Sequence, residues 1–246
     1  MSVRPRSEEA IWHDVECGGY AADLALWDEL AEGAAGSVLE LGAGTGRVAL
    51  HLAAAGHEVV AIDSSPALLD VLRDRAAERG LEVETVCADA RTFALERRFG
   101  AVIAPMQLLQ VLGGPVRRRS ALAAVRRHLT AGGRFAAAVL GDRASSPVQA
   151  GPPPLPDVCE IEGWVYSSLP VAVIAVAGGL EIRRLRQRVS PAGELADQTD
   201  LIHLDELSAP GLEREAEGAG LRPVERVEIA ATDDHVGSVV CVLEAC

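Results

Sequence analysis

The sequence predicts an α/β fold built on a doubly wound parallel sheet. Three observations predict it. Short apolar segments alternate with helix-patterned stretches of about 10–15 residues through the first 140 positions, which requires right-handed crossovers and helices on both faces. Glycines stand beside most of the boundaries, as helix stops or strand-to-helix turns. Finally, 49% of the 246 residues are apolar, enough for the core of one large domain or one domain carrying an insertion.

Residues 12–30 place apolar or aromatic side chains at 20, 24, 26, 27 and 30, the spacing of an amphipathic helix. Val38-Leu39-Glu40-Leu41 is a short buried strand that runs into a glycine cluster. Residues 47–55 are then helical and stop at Gly56, and 58–62 form a second strand ending at Asp63. Ser64-Ser65-Pro66 supplies a cap and a first-turn proline for a helix running to Gly80. Residues 83–87 are a third strand followed by Asp89, and 101–104 a fourth. A helix over 115–129, with Gly132-Gly133 beyond its end, leads to a fifth strand at 134–140 that ends at Gly141-Asp142.

The rhythm then breaks. Residues 145–157 contain five prolines and read as a stiff linker. Three candidate strands follow, at 164–176, 180–189 and 195–204, with turns at Gly178-Gly179 and Ser190-Pro191-Ala192-Gly193. This pattern predicts an antiparallel β insertion over one end of the sheet. A helix at 208–219 and strands at 224–230 and 238–243, joined through Asp233-Asp234-His235, close the chain. The expected organisation is a core over 1–144, the linker and insertion over 145–204, and a return to the core over 205–246.

Twenty-three basic against 36 acidic residues give a net charge of −13, which repels phosphate backbones and anionic lipid. Nucleic acid is therefore a disfavoured partner. The longest apolar run, 169–180, falls short of the roughly 20 residues of a membrane span. No apolar signal core follows the basic N-terminus, so a cytoplasmic protein is expected. The five cysteines are scattered without paired spacing, which predicts reduced thiols, no disulfide framework and no metal site.

The chemistry concentrates in Glu40-Leu41-Gly42-Ala43-Gly44-Thr45-Gly46-Arg47. A strand turning through glycines into a helix lets backbone approach a ligand. Counted from Gly44, the weaker dinucleotide form G-x-G-x-x-A survives, with Ala49 last. Glu40 tips the balance: an acid two residues before the first glycine opposes a pyrophosphate and suits a cation. This pattern, with Asp63 ending the next strand, resembles the first two motifs of class I S-adenosylmethionine-dependent methyltransferases of small-molecule type. Cys87-Ala88-Asp89-Ala90, residues 99–107 and Leu129-Thr130-Ala131-Gly132-Gly133 match the later motifs in order and spacing. The resemblance covers residues 12–142 and, by topology, the last two strands.

The resemblance implies a Rossmann-like seven-stranded sheet with an antiparallel last strand, and the antiparallel insertion between strands five and six. It implies S-adenosylmethionine as cofactor, S-adenosylhomocysteine as product, and a small soluble methyl acceptor at N or O. Glu40 and the backbone of Gly42, Ala43, Gly44 and Gly46 would face the methionine portion. Asp63 would accept both ribose hydroxyls. Ser64 and Leu68 would border the adenine, and Asp89 would accept from its amine with Ala90 nearby. The carbonyl of Pro105 or Met106 would meet the ligand ammonium, Gln107 would point at the ligand end, and Tyr20, on the leading helix, would cover the cofactor.

On the acceptor side the candidates are His235, as base or orienting group, and Asp142. The insertion is a candidate lid, lined by Trp164 and Tyr166, and a candidate homodimer contact. Arg184, Arg186 and Arg188 share one of its faces, to bind an acidic substrate or to keep an edge soluble. The run Arg117-Arg118-Arg119 reads as a solvated helix face. A nicotinamide-dependent oxidoreductase and a non-catalytic S-adenosylmethionine-binding module are the competing functions.

Overall fold

The computed structural model describes residues 6–140, 155–232 and 235–246. Asp142 and the prolines from 147 to 154 lie outside them. Ser7 opens the first helix, its Oγ accepting from the Ala10 amide at 3.1 Å. That helix, α1 (Glu8–Cys17), stops at Gly18, and α2 (Leu24–Glu32) follows as a separate element. The single helix expected over 12–30 is thus two. Gly18-Gly19 is a poor helix former, while the apolar spacing carried on across the break and concealed it. Tyr20 consequently sits in the turn between the helices and not on the leading one.

Strands β1 (Val38–Leu41), β2 (Val59–Asp63), β3 (Val83–Cys87), β4 (Phe99–Ala104), β5 (Leu129–Leu140), β10 (Leu221–Ile229) and β11 (Ser238–Ala245) form a seven-stranded sheet. Its order is β10-β11-β5-β4-β1-β2-β3. The first five run parallel, and β11 is antiparallel to both β5 and β10, so only the last strand is reversed. Alternation of side chains splits the core into two layers. Leu39, Leu41, Val60 and Ile62 face α5 (Pro115–His128) and α6 (Ala209–Glu217). Val38, Val59, Ala61 and Ile103 face α2, α3 (Arg47–Ala54) and α4 (Pro66–Arg79). Each fully buried Leu, Ile or Val side chain contributes about 1.5–3 kcal/mol.

β5 begins five residues earlier than expected. Leu129 pairs with Phe99, and the register then jumps to Arg134 opposite Ala101, with Gly132 at φ 69° absorbing the irregularity. The insertion is a separate meander of four strands, β6 (Asp157–Ile161), β7 (Trp164–Val176), β8 (Gly179–Val189) and β9 (Leu195–Asp205). β6 lies between the expected linker, which ends at Asp157, and the first expected strand, which begins at Trp164. It is joined to β7 by Glu162-Gly163, both at positive φ (52° and 79°), the two-residue turn whose twist matches a hairpin. A glutamate in a left-handed conformation gives no turn signal in the sequence, so the strand went unread. Among the described residues no helix is long and apolar enough to cross a membrane.

Candidate active site

The carboxyl ends of β1, β2, β3 and β4 converge on a cleft of about 240 Å³ lined by Gly42, Asp63, Ser64, Asp89, Ala90 and Arg91, among others. Gly42, Gly44 and Gly46 take φ values of 67°, 56° and 94°, conformations that disfavour any other residue. The space a Cβ would need is already taken by protein. At Gly44 it would drive into the His13 imidazole, and at Gly42 it would meet Leu108 at 2.8 Å. The bend is therefore shaped by its own packing as well as by open room for a ligand.

Asp63 stitches two loops together. Its Oδ2 accepts from the Gly44 amide at 2.9 Å and its Oδ1 from the Ser65 amide at 2.8 Å. Each carboxylate oxygen keeps a further lone pair toward the cleft. Ser65, not Ser64, caps α4, and Ser64 lines the cleft instead. Leu68 packs with Ala10 and Val71 beneath α1 and is not part of the cleft lining. Asp89 does line it, but its carboxylate accepts from the Arg91 backbone amide at 2.8 Å and pairs with the Arg91 guanidinium. Those bonds hold the Asp89 carboxyl below its usual range.

Glu40 is the most unusual group. It is 2% exposed, and burial pushes its carboxyl up to about 8 despite the nearby Arg47 guanidinium. Arg47 is committed elsewhere, to Asp23 at 2.6 and 2.8 Å and to the Tyr20 carbonyl at 2.9 Å. Glu40 Oε2 is buried and has no hydrogen-bond partner among the described residues. A buried acid that takes one backbone hydrogen bond, from Ala49, and leaves its other oxygen unpaired beside a glycine bend suits a ligand carrying positive charge.

After β4, Pro105 is buried and Met106 holds a left-handed backbone at φ 56°. A non-glycine residue there is uncommon and concentrates at functional turns. The carbonyl of Gln107 is taken by the Gln110 amide at 2.8 Å. On the other flank, Tyr20 is sandwiched. His235 lies 4.8 Å from its ring centroid, and the Arg47 guanidinium 5.1 Å from it. The His235 amide donates to Thr232 Oγ1 at 3.0 Å, and its imidazole interacts electrostatically with Asp157 of β6. Tyr20 and His235 thus meet each other, outside the lining of the cleft.

A family model described as a methyltransferase domain matches residues 38–133, the span from β1 to the start of β5. A 2-heptyl-1-hydroxyquinolin-4(1H)-one methyltransferase of Mycobacteroides abscessus is 40% identical over 70 residues, 28% of this chain and 31% of that protein. The chain spans about a third of the length of the curated relatives it matches. Among solved structures, the CcbJ methyltransferase from Streptomyces caelestis aligns with a TM-score of 0.71 and 27% identity over 93% of this chain and 98% of that one. Over β1 to the start of β5, and over its whole fold, the chain is similar to known methyltransferases. An amino pentose methyltransferase from Micromonospora echinaspora, solved with S-adenosylmethionine, shares the fold at TM-score 0.74 and 20% identity, over 100% of this chain and 99% of that one.

Several residues of this site escaped sequence reasoning. α1 lies directly on the bend: Thr45 Oγ1 meets His13 Nδ1 at 3.2 Å and donates to Asp14 Oδ1 at 2.7 Å, and Arg75 of α4 clamps Asp14. Burial holds the His13 imidazole below its ordinary range, against the charges of Asp14 and Asp63. The signal is the four-residue spacing of Glu9 and His13, which places both on one face of α1; Glu9 accepts from Ser65 Oγ at 2.9 Å. Leu108, Val111, Leu112 and Arg117 complete the cleft lining, and no motif marks them.

Two members of the insertion's charged stripe, Arg184 and Arg186, are turned onto α1, while Arg188 stays 45% exposed beside Glu8. Glu16 of α1 accepts from Arg186 at 2.7 and 2.9 Å and from Ser168 at 2.7 Å, while Arg184 binds Ser168 and Asp157. Burial would raise the Glu16 carboxyl, but the bonds from Arg186 and Ser168 and the two guanidinium charges outweigh it and leave it lowered. Tyr166 is buried edge-on against Trp12 at 5.4 Å, whereas Trp164 is 36% exposed, so the two do not form one lining. Arg118, expected in solvent, is 3% exposed and paired with Asp205 and Glu215.

Proposed function

We propose that this protein transfers the methyl group of S-adenosylmethionine to nitrogen or oxygen of a small soluble acceptor. The observation that carries the reading is the unpaired, buried Glu40 oxygen behind the glycine bend. The cofactor brings an activated sulfonium methyl, so the chain must chiefly hold it, align an acceptor and exclude water. Asp63 takes the ribose hydroxyls on the lone pairs that Gly44 and Ser65 leave free. Glu40 offsets the positive charge, helped by the Pro105 or Met106 carbonyl, while Gly42, Ala43, Gly44 and Gly46 supply backbone at the methionine portion. Ser64 and Ala90 border the adenine, and Asp89 accepts from its amine once Arg91 yields. Tyr20 covers the cofactor from the flank where His235 orients the acceptor or removes its proton. The relatives support the small-molecule class: one is named for a hydroxyquinolinone, another for an amino pentose.

Calorimetry tests this directly. The protein is expected to bind S-adenosylhomocysteine and not NAD(P), and Asp63→Ala to weaken that binding by about 1.5–3 kcal/mol. His235→Ala is expected to lower turnover and leave cofactor affinity intact. Binding of NAD(P) alone would overturn the reading, and loss of cofactor affinity in the His235 variant would displace that residue from the acceptor side.

We also propose that two copies pair through the outer face of the insertion, in a cytoplasmic homodimer. That face presents Val158, Val165, Ile174 and Leu201 to solvent, all at least 38% exposed. Glu181 and Arg183 lie on the same face, so a two-fold-related copy sets opposite charges against each other. Five free cysteines fit a reducing compartment. Sedimentation should show a dimer that Leu201→Glu splits.

A further inference from the structure

The insertion leaves the core after Leu140 and returns at Asp205, and one side chain touches both stems. Gln110, at the end of the 3₁₀ turn Leu108–Gln110, is 4% exposed. Its Oε1 accepts from the Leu140 amide at 2.7 Å, and its Nε2 donates to the Asp205 carbonyl at 3.1 Å. Only one orientation of the carboxamide serves both partners; turned over, it would set donor against donor and acceptor against acceptor. The need is set by the sheet. β4 ends at Ala104, opposite Ala137, so farther along β5 the Leu140 amide has no strand partner on that side. The Asp205 carboxylate is fixed in turn by the Gly114 amide at 2.5 Å and by Arg118 at 3.0 Å, which is itself paired with Glu215 of α6.

We infer that Gln110 is a positioning residue that holds the two stems together and so sets the height of the insertion over the acceptor. It lies three residues after Gln107, on the same connection as Pro105 and Met106, which ties the roof to the loop that faces the cofactor. The inference rests on the methyltransferase reading above, with the insertion taken as the lid expected from the sequence. The role calls for a donor and an acceptor on one short side chain, which few residues other than glutamine or asparagine provide, and asparagine is a methylene shorter.

Hydrogen exchange of the full chain with saturating S-adenosylhomocysteine, joined to methyl transfer from labelled S-adenosylmethionine onto a panel of small amines and hydroxyl compounds, tests it. In Gln110→Leu the Leu140 amide should exchange about a hundredfold faster, with residues 38–41 unchanged. Affinity for S-adenosylhomocysteine should stay within about threefold, and for any panel compound the wild type methylates, KM should rise about tenfold with kcat nearly constant. Gln110→Glu separates the two contacts and guards against a variant that does not fold. Its carboxylate still accepts from Leu140 but opposes the Asp205 carbonyl, so Leu140 should stay protected while the Glu206 amide, bonded to Gly178 at 2.7 Å, exchanges faster. Unchanged protection at Leu140 in Gln110→Leu, or cofactor affinity lost in parallel with protection throughout the sheet, would overturn the inference. A wild type that binds cofactor and methylates nothing in the panel would count against the acceptor reading, while the exchange results would still decide the clamp.

Discussion

The glycine bend and the insertion sit on either side of α1 and are held by opposite means. The bend is held by backbone geometry: three glycines at positive φ, the amides of Gly44 and Ser65 on one carboxylate, and an apolar layer behind them. The insertion is held by side-chain charge, with Glu16 gripping Arg184 and Arg186, and by little apolar burial beyond Tyr166 on Trp12. Backbone geometry admits almost no substitution. Charged side chains tolerate exchange of the whole cluster but suffer when one partner is removed. On the proposed function, the half that holds the cofactor is built the first way, and the half assigned to the acceptor is built the second.

The largest test of this contrast is Gly44→Ala. One methyl group must displace His13 and occupy a left-handed backbone, so a loss of about 3 kcal/mol or more is expected in thermal unfolding, with S-adenosylhomocysteine binding abolished in calorimetry. A stable, binding variant would break the comparison. Glu16→Leu comes next. It leaves Arg184 to Asp157 and Ser168 and Arg186 to Asp200, and should cost about 2 kcal/mol, seen as faster exchange in β7 and β8, while cofactor affinity holds within about twofold. Equal loss at both sites would mean that the halves are not separately held.

The smallest effect is on pH dependence. The Glu40 carboxyl rises to about 8 in the folded chain, above its ordinary value of 4.5, so the folded state binds more protons between these limits. Stability of the unliganded protein should therefore be greatest below about pH 4.5 as far as this group is concerned, and fall as pH rises toward 8. Ionised Glu40 favours a cationic ligand, so affinity for S-adenosylmethionine should tighten by about threefold from pH 6 to pH 8. Glu40→Gln should flatten both trends.

What was legible in the sequence follows the same division. The parallel strands, the bend and Asp63 declare themselves through local patterns, namely apolar runs of four or five residues, glycines at turns and an acid at a strand end. Glu16, Arg118 and Arg186 look like surface charge, because nothing local distinguishes a guanidinium in water from one whose partner lies 97 or 170 positions away. The seating of His13 on Gly44 was hidden for the same reason. β6 was hidden by the prolines before it and by Glu162, whose backbone takes a shape the sequence does not advertise.

The ten-residue helix α1 carries His13 and Asp14 on the bend and Glu16 on the insertion, within a single turn. A rigid rod fastened at both places cannot lift from one and stay seated on the other. On the proposed reading, release of the spent nucleoside and loosening of the roof are one mechanical event, so the door for one ligand is also the latch for the other.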